Sequence, residues 1–183
     1  MRLAVLTALA TVSLAACGQN ASSTNDTAAT NTPANSAEAP SAPATPAAAP
    51  ATKEEALKIM HERHEGMEQI GKSTKAIKRQ LDSSAPDVAE IQKAAATIAD
   101  LAAKSPNWFP QGTGPDVGKT GAKPEIWQNY ADFAAKDADF GKAAQAFNAA
   151  AAGGNLDAIK SGFADLGKSC KACHDKYRSD MHH

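Results

Sequence analysis

Near the C-terminus, Cys170-Lys171-Ala172-Cys173-His174 places two thiols and an imidazole within five residues. The pattern C-x-x-C-H is that of covalent attachment of a c-type haem. On a helix, positions i and i+3 share a face, so Cys170 and Cys173 meet one porphyrin edge and form thioethers to its vinyl groups. His174 follows directly and reaches the iron as an axial ligand. The chain holds one such motif, which predicts one haem. Two other chemistries use C-x-x-C: a thioredoxin-like redox pair and half of a zinc site. The first belongs at a strand–helix junction, and no βαβ pattern precedes Cys170. The second needs two more ligands, for which only His182 and His183 lie close in sequence.

The third cysteine stands apart. Met1-Arg2 is a short cationic start, and Leu3 to Leu14 is an apolar stretch too short to cross a bilayer. Leu14-Ala15-Ala16-Cys17 closes a segment with the form of a secretory signal. Its end resembles the lipobox of bacterial lipoproteins, which implies a signal peptide over 1–16, cleavage before Cys17 and lipid on the Cys17 sulfur and amino terminus. Several acyl chains anchor durably where one would not, at about 0.8 kcal/mol per buried CH₂. The blander alternative is an ordinary signal followed by a chance cysteine. Gly18 is compatible with sorting to the outer membrane. With one cysteine assigned to lipid and two to haem, none remains for a disulfide.

Residues 17–52 then read as the lipidated cysteine and an Ala/Pro/Thr/Ser-rich tether. Past Cys17 they hold no aromatic residue and no Leu, Ile or Val, so they cannot form a core. Prolines at 33, 40, 43, 46 and 50 favour an extended chain, with an upper reach of roughly 110 Å at about 3.1 Å per residue. The folded domain is expected over 53–183. A formal net charge of −1 gives it no basic face for nucleic acid.

The elements that must position the motif read as helices throughout, with no convincing alternation of period two. Leu57, Met60, His64, Met67, Ile70, Ile77 and Leu81 recur at helical steps. Ser84-Ala85-Pro86-Asp87 is a start signal for a second helix, with Val88, Ile91, Ala95, Ile98 and Leu101 on its stripe. Ser105 to Lys123 is a Gly/Pro-rich loop with Trp108 and Phe109 as plugs over the core. Pro124-Glu125 opens a third helix carrying Ile126, Trp127, Tyr130, Phe133, Phe140 and Phe147, which ends at Gly153-Gly154-Asn155. The last helix runs from Leu156 through Ile159, Phe163 and Leu166 into the haem motif and Tyr177. Short connections predict an all-α, antiparallel, up-down-up-down four-helix bundle. Aromatic residues make up 5% of the chain, and a haem enclosed by the bundle would supply apolar surface worth roughly 25 cal/mol per Å². The apoprotein is therefore expected to be molten or unfolded.

Three stretches together make the chain similar to the cytochrome c′ family. They are Arg63-His64-Glu65-Gly66-Met67, the run from Trp108 to Pro124-Glu125-Ile126-Trp127, and Cys170 to Arg178. The resemblance spans most of 54–178 and implies that Cys170 and Cys173 hold the porphyrin while His174 is the proximal iron ligand. It implies that Arg178 is the basic residue beside that histidine, one helical turn on, and that Arg63 contacts a haem propionate. His64 stands where the family usually has Gln. Met67 falls at the distal position, where an apolar side chain leaves the sixth site open in some members and a methionine ligates the iron in low-spin relatives. His61 and His64 are further candidate ligands.

The expectations for function follow from that resemblance. An open site binds small neutral gases, nitric oxide first and carbon monoxide with it, and sequesters nitric oxide as protection against nitrosative stress. A Met67-ligated site instead carries electrons to a respiratory redox partner. No distal acid–base pair is evident near Met67, so the chain is read as binding its ligand rather than turning it over. The resemblance further implies a homodimer packed through the first two helices, and the lipobox-like segment implies that lipid alone holds it on the periplasmic side of the envelope.

Overall fold

The structure, a computed structural model, describes residues 45–179. Cys17, the signal segment, the tether up to residue 44 and His182 and His183 lie outside them. α1 spans Lys53–Leu81. Its first turn is closed by a capping box: the Thr52 hydroxyl accepts the Glu55 N–H at 3.1 Å, and the Glu55 carboxylate accepts the Thr52 N–H at 3.2 Å. α2, Val88–Ala102, starts on Asp87, whose carboxylate accepts from Ala89 and Glu90 N–H. A single 3₁₀ turn, Ser105–Asn107, opens the long loop.

The expected third helix is two. α3, Glu125–Gln128, is followed by α4, Tyr130–Ala152. Asn129 between them has φ −126° and ψ 46°, outside helical geometry. The break has a local cause. The Trp127 indole N–H donates to the carbonyls of Phe109 and Pro110, at 3.2 and 2.9 Å, so α3 is tied to the loop while α4 follows the bundle. Gly154, at φ +71°, makes the left-handed turn out of α4. Asn155 then caps α5, Leu156–Tyr177.

α1 packs on α2, α2 on α4 and α4 on α5, which gives the antiparallel bundle with α3 as the lead-in to its third helix. At one end Ile77, Ile91, Ile98, Phe147 and Ile159 are fully buried. At the other end a cleft opens, lined by α1, α4, α5 and the long loop. Trp108 and Phe109 are buried as expected. The stripe on α1 differs from its sequence reading: Leu57 and His64 are exposed, while Arg63, Gly66 and Ser73 are buried.

Candidate haem site

The cleft has a volume of about 680 Å³, within the roughly 300–1,000 Å³ of small-molecule and cofactor sites. α1 contributes Met60, Met67 and Ile70, α4 contributes Phe133 and Phe140, and α5 contributes Cys170, Cys173 and His174. The two thiols are unpaired, half-buried and on the cleft face of one helix, as i and i+3 spacing requires. Burial pushes both thiols up, Cys173 to about 11. His174 is held below the ordinary imidazole range by burial first and by the Arg178 charge second, against the opposing pull of Asp175. A neutral imidazole is the form that ligates a metal.

Arg63 has a task that the sequence did not suggest. It is 4% exposed, and its guanidinium clamps the long loop. One terminal nitrogen donates to Trp108 O at 3.0 Å and Thr113 Oγ1 at 3.3 Å. The other donates to Thr113 O at 2.9 Å and Thr120 Oγ1 at 3.0 Å. The guanidinium also lies 5.0 Å from the Phe109 ring centre. Burial lowers its pKa to about 10, and among the described residues no carboxylate offsets that cost. Next to this clamp, Gly66 lets the Trp108 ring lie against α1: a Cβ there would come within 2.4 Å of Trp108 Cη2. Together these contacts fix the turn of α1 that carries Met67.

The end of α5 is held by the same loop. Lys123 N–H donates to Tyr177 O at 3.0 Å and Ser179 N–H to Gly121 O at 2.9 Å. The Tyr177 hydroxyl donates to Asp132 Oδ2 at 2.6 Å, tying α5 to α4. Arg178 is not on a further helical turn, because α5 stops at Tyr177 and Arg178 is extended, bridged to Ala122. Its N–H still closes on His174 O at 3.1 Å, so its charge stays close enough to act on the imidazole. His61 and His64 sit on the cleft lining but are exposed, and His61 faces Glu65 at 3.2 Å.

The donors suit a tetrapyrrole. Two thiols and an imidazole share one wall, apolar side chains flank them, and a buried cation without an acidic partner matches a ligand that brings carboxylates. Among the described residues no three His, Cys, Asp or Glu side chains gather into a metal site, and no strand precedes the C-x-x-C pair. The family model described as Cytochrome C′ matches residues 58–178. The chain belongs to the cytochrome c′ family. It is 37% identical over 109 residues to cytochrome c′ of Alcaligenes xylosoxydans xylosoxydans, covering 60% of this chain and 80% of that protein. The cytochrome c′ structure from Thermochromatium tepidum matches with TM-score 0.64 at 36% identity, over 72% of this chain and all of that one. A nitric oxide complex of a variant of cytochrome c prime from Alcaligenes xylosoxidans matches with TM-score 0.61 at 32% identity, over 71% of this chain and 98% of that one. A further cytochrome c′, at 32% identity, TM-score 0.64 and coverage of 72% and 100%, is described as having ligand-controlled dimer dissociation.

Cytochromes c′ bind haem c covalently, and here Cys170 and Cys173 are the residues that would hold it, with His174 toward the iron. Two positions at the site are not evident from the sequence. Gly66 stands three residues after Arg63 and four before Ile70, on the buried stripe of α1. Asp137, 8% exposed on the cleft wall of α4, lies on the Phe133–Phe140 stripe at steps of four and three.

Proposed function

We propose that this chain binds small neutral gases at its haem, nitric oxide above all, and sequesters nitric oxide as protection against nitrosative stress. The observation that carries this reading is the set of apolar side chains, Met60, Met67 and Ile70, that α1 contributes to the cleft. Met67 lines it while packing against the buried core, with Met60 and Ile70 on neighbouring turns. The histidines of α1 are exposed rather than set as an acid–base pair inside the cleft, which supports binding without turnover. The nitric oxide complex of the Alcaligenes relative supports the choice of ligand.

When bound, the haem supplies the iron site at which a diatomic is held. The protein's part is to anchor that haem through Cys170 and Cys173, to present a neutral His174 and to offer Arg63 to a propionate. Met67 limits the distal space. The same residue supports the second reading, a thioether-ligated electron carrier with a respiratory partner, because Met67 lines the cleft and a methionine ligand stabilises ferrous iron.

An optical spectrum of the purified holoprotein decides between them. High-spin bands that shift on adding nitric oxide or carbon monoxide are the expected result. A low-spin spectrum that becomes high-spin in Met67→Ala would establish the carrier instead.

The setting completes the proposal. The lipobox-like segment ending at Cys17 supports export and anchorage on the periplasmic side, and Gly18 is compatible with the outer membrane. Among the described residues no helix is long and apolar enough to cross a membrane. A homodimer through α1 and α2 is the proposed assembly, supported by the relative whose dimer dissociation is ligand-controlled.

A further inference from the structure

Asp137 is a buried carboxyl in the wall of the cleft, met by one buried hydroxyl. Its Oδ1 lies 2.7 Å from Ser105 Oγ, and the same hydroxyl lies 3.0 Å from Ala102 O. Ser105 is fully buried. A hydroxyl has one proton to give. Ser105 shares that proton between Asp137 Oδ1 and the carbonyl of Ala102, the last residue of α2. Among the described residues Asp137 has no other side-chain partner and no ion pair, so one shared hydroxyl proton is all that meets a buried carboxylate there.

The surroundings agree. Burial pushes the Asp137 carboxyl above the usual carboxylate range, and the Ser105 contact only partly opposes this. On its own helix Asp137 acts on Tyr130, and across to α5 it acts on Cys173, as does Lys136. α2 and the 3₁₀ turn present the neutral Ala102 carbonyl and Ser105 hydroxyl. The remaining charged and titratable groups of the cleft are His61, Arg63, His64 and Glu68 on α1, Lys119 in the loop, Cys170, His174 and Tyr177 on α5, and Arg178 just beyond it.

We propose that Asp137 is a proton-binding site coupled to the haem, protonated when the iron is ferrous and releasing its proton when the iron is ferric. The ferric haem carries one more positive charge than the ferrous, which favours the carboxylate form in a low-dielectric cleft. In the reducing direction, one electron from an external one-electron donor, a small redox protein or dithionite, converts ferric to ferrous iron. One proton from solvent joins the Asp137 carboxylate, and no other bond changes. The inference rests on the haem and not on which small molecule the haem binds.

The test is potentiometry of the holoprotein across pH, paired with Asp137→Asn, whose side-chain oxygen still accepts from Ser105. The expected result is a wild-type potential that falls as pH rises through the range where only the ferric protein has lost the Asp137 proton. That pH-dependent segment is lost in Asp137→Asn. A redox-triggered infrared difference spectrum of wild-type protein carrying ¹³C-aspartate gives an independent readout. Reduction should raise a protonated-carboxyl band that shifts with the label, which haem propionates cannot do. Identical pH profiles for wild type and variant would overturn the proposal. If the variant fails to retain haem, the labelled spectrum decides alone, and no label-sensitive band overturns it. Absence of any redox signal would instead overturn the haem itself, a distinct outcome.

Discussion

The two ends of the bundle are built on different principles. At the end holding Ile77, Ile91, Phe147 and Ile159, aliphatic and aromatic side chains meet with no exposure, and the Phe147 and Phe163 rings lie 5.8 Å apart. The helices there hold one another. At the other end a cleft lies between α1 and α5, and a loop does the joining. Arg63 grips it from α1, Gly121 and Lys123 bind it to the end of α5, and Trp127 ties it to α3. The lesson is that the packed end supplies stability while the polar end supplies geometry. The polar end is complete only with a large apolar group between its walls.

The largest expected effect follows from removing that group. Cys170→Ala with Cys173→Ala should leave haem unattached, and hydrogen exchange should then show amides of the loop and the last turns of α5 losing protection. Amides around Ile77, Ile98 and Phe147 should keep more of theirs. Uniform protection at both ends would break the contrast. Phe147→Ala should cost about 4 kcal/mol in chemical denaturation while the haem spectrum stays unchanged, since the residue is far from the cleft lining. Gly66→Ala should cost about 2 kcal/mol through overpacking against Trp108, and here the spectrum should move, because the turn carrying Met67 must shift. The smallest effect concerns pH. The Asp137 carboxyl titrates higher in the folded chain than in the unfolded one. Its contribution is therefore full below the unfolded carboxylate pKa and is lost as pH rises through the folded one. Urea unfolding should show Asp137→Asn gaining on wild type between mildly acid and neutral pH.

Much of this was legible from residue order. The capping residue Asp87, the Gly153-Gly154-Asn155 stop and the haem motif each act locally, and the structure places the helices accordingly. The plugs Trp108 and Phe109 were legible because a loop has little other use for two aromatic side chains. The division at Asn129 was not, because it depends on where the Trp127 indole finds carbonyls eighteen and seventeen residues earlier. Arg63 and Asp137 were missed as buried groups for a shared reason. Each is charged and sits on an apolar stripe, Arg63 between Met60 and Ile70 and Asp137 between Phe133 and Phe140. A stripe read by hydrophobicity alone skips them, yet a charge at a core position is itself the signal of a site.

The thiols hold a consequence for biogenesis. Only the thiolate attacks, and at about 11 the Cys173 sulfur is almost wholly thiol once its surroundings close. Covalent joining is therefore expected to run faster on the solvated polypeptide than after collapse. A chain whose cleft closed before its pigment arrived would hold that sulfur in its unreactive form.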